Sequence, residues 1–181
     1  MTRIQIVIKK SISRLSLSFL CLLLTSCVTV PEGITPVNHF DVSRYLGTWY
    51  EIARLDHSFE RGLERVTAEY SLQDDGGVKV VNLGFNEKDQ LWNEAQGKAY
   101  FVDADDSGHL KVSFFGPFYA SYVIFALDSE DYQYAMITGP NRDYLWILAR
   151  QPNIPEALLT ELVSQAQDLG FDTQNLIYVM H

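Results

Sequence analysis

Cys27 is a thiol placed directly after Leu24-Thr25-Ser26 at the end of an apolar run. That string has the pattern of a lipobox, where a bacterial signal peptidase cuts and a lipid is joined to the cysteine sulfur. Arg3, Lys9, Lys10 and Arg14 make a basic n-region, and Leu15 to Leu24 make an apolar h-region of ten residues. A permanent membrane-spanning helix needs about 20 apolar residues, so this run reads as a cleaved signal. The expectation is removal of residues 1–26, lipidation of Cys27, and a mature protein that hangs from a membrane outside the cytoplasm.

The other residue types that do chemistry are scattered. His39, His57, His109 and His181 share no metal-ligand spacing. Cys21 leaves with the signal and Cys27 is lipidated, so no thiol remains to join them. No metal and no cofactor are expected. No serine sits in a Gly-x-Ser-x-Gly elbow, and no carboxylate pair stands out. Glu51 is the one early titratable residue that can be placed inside the fold. His57 beside Asp56 is either a contact at the edge of a pocket or a solvated loop histidine, and solvation is the simpler reading. Nothing positive indicates an enzyme.

Composition narrows the partners. Without residues 1–26 the chain has 155 residues, a one-domain length. The 14 Lys and Arg fall to 10 against 23 Asp and Glu, a formal charge of −13. Nucleic acid is excluded, because its affinity rests on cationic contacts to phosphate. A broad electrostatic dock on anionic membrane or lipopolysaccharide is disfavoured for the same reason. With no disulfide available, stability must come from the core, for which 10 Phe, 10 Tyr and 3 Trp supply material.

The elements follow from periodicity. Val28–Asn38 carries prolines and a glycine without helical spacing and reads as an extended tether. Its eleven residues reach at most roughly 35–40 Å. Phe40–Tyr45 reads as a helical turn with Asp41 as N-cap. Eight strands then follow at short spacing: 48–55, 63–73, 78–85, 91–103, 109–115, 119–128, 132–138 and 144–151. A helix begins at Pro155, with Leu158, Leu159, Leu162, Val163 and Ala166 at three-to-four spacing and Gly170 as its cap. A short strand at 175–180 ends the chain. With no crossover helices, the economical fold is all-β: an eight-stranded antiparallel up-and-down barrel with a C-terminal helix packed outside. Small inward residues (Val66, Ala68, Val78, Val80, Ala95, Gly97, Ala99) leave room for one small ligand. A solid core is the alternative. The domain plan is signal peptide 1–26, lipidated cysteine and tether 27–38, and barrel domain 39–181.

Three segments resemble the signatures of the lipocalins: Arg44-Tyr45-Leu46-Gly47-Thr48-Trp49-Tyr50 on the first strand, Asp131-Tyr132-Gln133-Tyr134 on a late one, and Tyr144 to Arg150 on the last. Glu130 stands where lipocalins often carry threonine, a departure that touches a capping contact. Phe59–Ala68, Val112–Phe118 and Asp143–Leu148 resemble the bacterial outer-membrane branch, related to apolipoprotein D. The resemblance covers roughly residues 37–180. It implies storage or transport of a fatty acid or lysophospholipid during envelope maintenance, and it admits a homodimer. Val28 is not the aspartate that retains lipoproteins in the inner membrane, so the outer membrane, facing the periplasm, is expected.

The resemblance makes Gly47, Trp49 and Arg150 structural, with the guanidinium over the indole at the closed end. Two-residue parity from Arg150 turns Trp146 inward, toward the middle or mouth. Tyr119, Val123 and Phe125 are read as lining the neighbouring strand, and Phe101 and Phe114 as wall residues. Asn82 faces inward if Lys79 faces out, and one polar group in an apolar pocket can hold a headgroup; a solvated asparagine near a turn is the alternative. A lipocalin-fold enzyme acting on a lipid, and a structural envelope lipoprotein, are the alternative functions.

Overall fold

The computed structural model describes residues 28–181; the expected signal peptide and Cys27 lie outside the described residues. Segments of alternating apolar and polar residues form β1 (Gly47–Arg54), β2 (Leu63–Leu72), β3 (Val78–Asn86), β4 (Leu91–Phe101), β5 (His109–Ser113), β6 (Ala120–Leu127), β7 (Tyr134–Thr138) and β8 (Leu145–Ala149). Each pairs antiparallel with its successor, and β1 pairs with both β8 and β2, so the sheet closes on itself. The eight-stranded meander expected from the turn spacing is the fold observed.

Closure is shared along the length of β1. Its first half, Gly47 to Tyr50, pairs with Tyr70 to Thr67 of β2. Its second half has left β2, and the C-terminal β9 (Ile177–Tyr178) pairs with Ala53 and Arg54 there. Val179 donates its N–H to the Ile52 carbonyl at 3.0 Å, and Arg65 donates to the Met180 carbonyl at 2.8 Å. The chain end therefore fills the gap between β1 and β2 and satisfies their free backbone groups.

One end of the barrel is plugged. Helix α1 (Val42–Tyr45) crosses it, capped by the Asp41 carboxylate, which accepts from the Ser43 N–H at 2.9 Å. Gly47 enters β1 at φ 89, a conformation that favours glycine. Trp49 is fully buried, and its Nε1 donates to the Tyr45 carbonyl at 2.8 Å. The Arg150 guanidinium lies 4.0 Å from the centre of the indole. It also donates to the carbonyls of Thr48 at 2.9 Å and Arg44 at 2.7 Å. The loops 55–62, 87–90, 114–119 and 139–144 stand at the other, open end.

Two apolar clusters flank the wall. The inner one holds Phe40, Tyr45, Trp49, Tyr70, Ile124 and Leu148 among others. The outer one lies beneath α2 (Glu156–Asp168), where Leu162 and Ala166 meet Val123, Phe125, Met136 and Ile147. Burying a side chain such as Leu162 stabilises by about 1.5–3 kcal/mol.

Two expectations change. Residues 28–38 are not a free tether. Ile34 is buried with the outer cluster, Val37 donates to the Ile124 carbonyl at 2.9 Å, and Ser121 Oγ donates to the Thr29 carbonyl at 2.7 Å. Val30, Ile34 and Val37 have apolar surface to cover, so the segment lies along the barrel. The seventh strand begins at Tyr134 rather than Tyr132, because the Asp128 carboxylate caps a turn by accepting from the N–H groups of Glu130 and Gln133. Tyr132 sits in that turn at φ 54, beneath the Arg44 guanidinium.

Arg150→Ala should lower the melting temperature, a loss of about 1–3 kcal/mol from the cation–π contact and the packed stem. Lipid affinity at the opposite end should be nearly unchanged. Thermal melts and a lipid titration on the variant check both.

Candidate functional site in the open half of the barrel

The inner wall is largely apolar, and a patch of charged side chains lies near the mouth. Glu51 follows Trp49 on the inward face of β1. A register irregularity between Glu51 and Ala53 then shifts the alternation, so Arg54 also points inward, opposite Trp146. Arg54 is 1% exposed. It donates Nη1 to Glu51 Oε1 at 2.6 Å and Nη2 to the carbonyls of Glu60 and Leu63 at 3.0 Å each. One guanidinium thus holds both ends of the loop 55–62. Glu60, buried from that loop, accepts from Trp146 Nε1 at 3.0 Å.

Burial decides the protonation of this patch. Glu51 is pushed up to about 8, chiefly by loss of water and then by the Glu60 charge, against the pull of Arg54. Burial raises Glu60 as well. At neutral pH the Glu51 carboxyl holds its proton beside the Glu60 charge. His57 is pushed down to about 4 by burial and by Arg54. Its Nε2 lies 3.2 Å from Glu60 Oε2 but is not aligned for a hydrogen bond, and at pH 7 the ring is neutral, so the contact is not an ion pair. The imidazole stacks on Phe59 at 4.0 Å and lies 5.0 Å from Trp146. His57 is therefore buried at the mouth, not solvated in its loop.

Below the patch, Tyr122 joins Tyr45 at 2.9 Å and Tyr70 at 2.7 Å, hydroxyl to hydroxyl. Burial pushes all three phenols up, so they stay neutral. With Phe40 they fill the closed half, leaving an enclosed void of about 20 Å³, room for a single water. The small residues Val78, Val80 and Ala99 do line that void, but rings from α1, β2 and β6 occupy the space they leave. A shallow recess of about 310 Å³ lies beside Lys79, Gln96 and Lys98.

The expected wall residues divide. Trp146 is on the inner wall at the mouth. Asn82 pairs with Ala68 and Ala95 on the inner face, and its Oδ1 is buried without a partner. Phe114 packs over Gly97, where a Cβ would come within 2.8 Å of its ring. Phe101 lies at the closed end, 6.2 Å from Phe40. Tyr119 and Val123 are corrections. Pairing of Leu110 with Tyr122 and Val112 with Ala120 makes Ala120, Tyr122 and Ile124 the inward set of β6. Tyr119 lies outside against Tyr100 and Lys111, and Val123 and Phe125 lie under α2. That strand is apolar on both faces because it separates two cores. Arg54, Glu60 and the tyrosine trio were not anticipated. The three-residue spacing of Glu51, Arg54, His57 and Glu60 is visible in the sequence, but it is not a strand period. Among the described residues no group of His, Cys, Asp and Glu is placed to hold a metal.

An apolar eight-stranded barrel, plugged at one end and open at the other, defines the class of β-barrels that take a ligand through a single mouth. The chain belongs to the lipocalin family: the lipocalin-like domain matches residues 40–181. It is 54% identical over 157 residues to the outer membrane lipoprotein Blc of Vibrio cholerae, covering 87% of this chain and 92% of that one. It is 34% identical over 145 residues to apolipoprotein D of Mus musculus, covering 76% and 75%. Among solved structures, insecticyanin from Manduca sexta superimposes with a TM-score of 0.65 at 20% identity, covering 84% of this chain and 87% of that one, a likeness of fold. The protein is a lipid-anchored lipocalin of the outer membrane.

The buried carboxyl has a testable signature. A carboxyl raised from 4.5 to about 8 contributes stability that is complete below 4.5 and lost as pH rises through 8. His57, lowered from 6.5 to about 4, contributes stability present above 6.5 and lost as pH falls through 4. Between pH 6.5 and 8 the carboxyl acts without the histidine, so the melting temperature should fall as pH rises. Glu51→Gln, which mimics the protonated acid, should flatten that fall and exceed the wild type above pH 8 in thermal melts.

Proposed function

We propose that the protein binds one single-chain lipid, a fatty acid or lysophospholipid, and stores or carries it on the periplasmic face of the outer membrane. The observation that carries this reading is the buried Glu51–Arg54–Glu60 patch, set beside the mouth of a largely apolar wall. An acyl chain entering there meets Phe114, Val66 and Trp146, while its headgroup stays at the Glu51–Arg54–Glu60 patch. Arg54 is already committed to Glu51 and two carbonyls, and the patch carries two acids. A headgroup with a cation or hydroxyl donors suits it better than a bare carboxylate, which favours a lysophospholipid. The tyrosine layer sets the depth, and a longer chain must displace Tyr122.

No catalytic step is part of this reading. The one observation favouring a lipid-acting enzyme is the raised Glu51 carboxyl, which Arg54 and Glu60 engage. Incubating the protein with lysophospholipid and analysing the extract by mass spectrometry separates the readings. Intact bound lipid supports carriage, cleaved lipid an enzyme, and an empty barrel a structural lipoprotein.

Affinity should rise with chain length, since each buried methylene contributes about 0.8 kcal/mol, and level off where the chain reaches the tyrosines. Tyr122→Ala should move that plateau to longer chains, read by quenching of Trp146 fluorescence in lipid titrations. A flat response from short to long chains would contradict an enclosed site.

The same reading makes Cys27 the anchor. Cys27→Ala should leave the precursor uncut and unlipidated, and intact mass of the membrane-extracted protein decides it.

A further inference from the structure

Apolar side chains left in water gather at one end of the barrel. Among the described residues, eight large apolar side chains are more than half exposed, and Leu72 is the one that stands at the closed end. Phe59 is 60% exposed, Trp92 57%, Phe115 79% and Phe118 69%, and all four lie in or beside the loops around the mouth. The segment 114–119 reads Phe-Phe-Gly-Pro-Phe-Tyr and carries no charge. Exposed aromatic side chains gathered at one end of a domain mark a surface that meets something apolar.

The path of the N-terminal segment says what that is. Phe40 is at the closed end, where its N–H donates to the Asp106 carbonyl at 2.8 Å. From there back toward residue 28 the segment climbs the outside of the barrel. Thr29 ends beside the mouth: its Oγ1 donates to the Pro140 carbonyl at 3.3 Å in the loop 139–144, and its carbonyl accepts from Ser121. Cys27 precedes Thr29 by two residues, so its Cα is at most about 7 Å away. Acyl chains on that sulfur would enter a bilayer on the side toward which the barrel opens.

We propose that the open end of the barrel rests on the bilayer, with Phe59, Trp92, Phe115 and Phe118 seated at the boundary between headgroups and acyl chains. A lipid would then pass between membrane and lumen without crossing bulk water. Aromatic side chains are suited to that interface. The contact is apolar and not electrostatic. Arg61 is held by Asp56 at 2.6 Å, Arg142 donates to the Leu169 and Glu32 carbonyls, and Lys88 lies between Glu87 and Asp89. The inference rests on the anchoring of Cys27 proposed above.

The lipidated protein offers a direct test, because acylation blocks Cys27 and Cys21 leaves with the signal, so an introduced cysteine is the single thiol. Phe118→Cys at the mouth and Asp74→Cys at the closed end would each carry an environment-sensitive nitrobenzoxadiazole label. Both proteins would be reconstituted in phosphatidylcholine vesicles. The label at 118 should shift to the blue and be quenched severalfold by spin-labelled phospholipid, while the label at 74 behaves as in water. Raising salt to about 0.5 M should change neither. Equal exposure at both positions overturns the proposal. So does pyrene excimer emission from position 118, which would mean that a second copy covers the mouth, and so does an unacylated Cys27 by intact mass. Docking of the mouth does not require lipid in the lumen, so an empty barrel would refute lipid carriage and leave the docking result standing.

Discussion

Closure of the sheet along β1 is the constraint from which the rest of the molecule follows. β1 must serve β8 on one side and both β2 and β9 on the other. Closure gives each barrel strand a neighbour on both sides, and β9 takes the part of β1 that β2 leaves. The pairing also fixes what each half of β1 presents. Its start delivers Trp49 to the plug, where Arg150 arrives from the end of β8. The irregularity beyond Glu51 delivers Arg54 to the wall near the mouth. One strand therefore builds both ends of the barrel.

The two ends use different chemistry. At the plug, Arg150 lies over an indole face and donates to the carbonyls of Arg44 in α1 and Thr48 in β1. Near the mouth, a fully buried guanidinium would be unfavourable alone, and so would two buried acids. Together they are tolerated: Arg54 donates to the Glu51 carboxyl and to two backbone carbonyls, Trp146 donates to Glu60, and burial raises Glu51 so that it keeps its proton. The tyrosine trio separates these regions, a layer of satisfied hydroxyls where the cavity would otherwise continue to the floor.

An acidic surface and an apolar rim belong to the same design. The net charge disfavours anionic surfaces, and the proposed docking leaves approach to the membrane to the aromatic mouth and a lipid on Cys27. The packed course of residues 28–38 matters here. A slack tether would let the barrel point anywhere, whereas a segment laid along the wall relates the anchor to the opening.

Much of this was legible in the residues themselves. Turn spacing and two-residue alternation determined eight antiparallel strands, because a meander with short connections has few other solutions. The three-to-four spacing of Leu158, Leu159, Leu162, Val163 and Ala166 determined the outer helix. Trp146 came out inward because strand parity runs unbroken from Arg150. Tertiary structure decided what parity could not carry. It turned Arg54 inward past an irregularity that alternation cannot show, and it placed Val123 and Tyr119 outside a strand that is apolar on both faces. It brought Glu60 and His57 in from a loop that reads as solvated, because the buried guanidinium needs the carbonyls of that loop. It filled the lower barrel with rings from three elements distant in sequence, so small residues on one wall did not become an empty cavity. Local pattern records which face a side chain takes; only the closed barrel decides what stands opposite it.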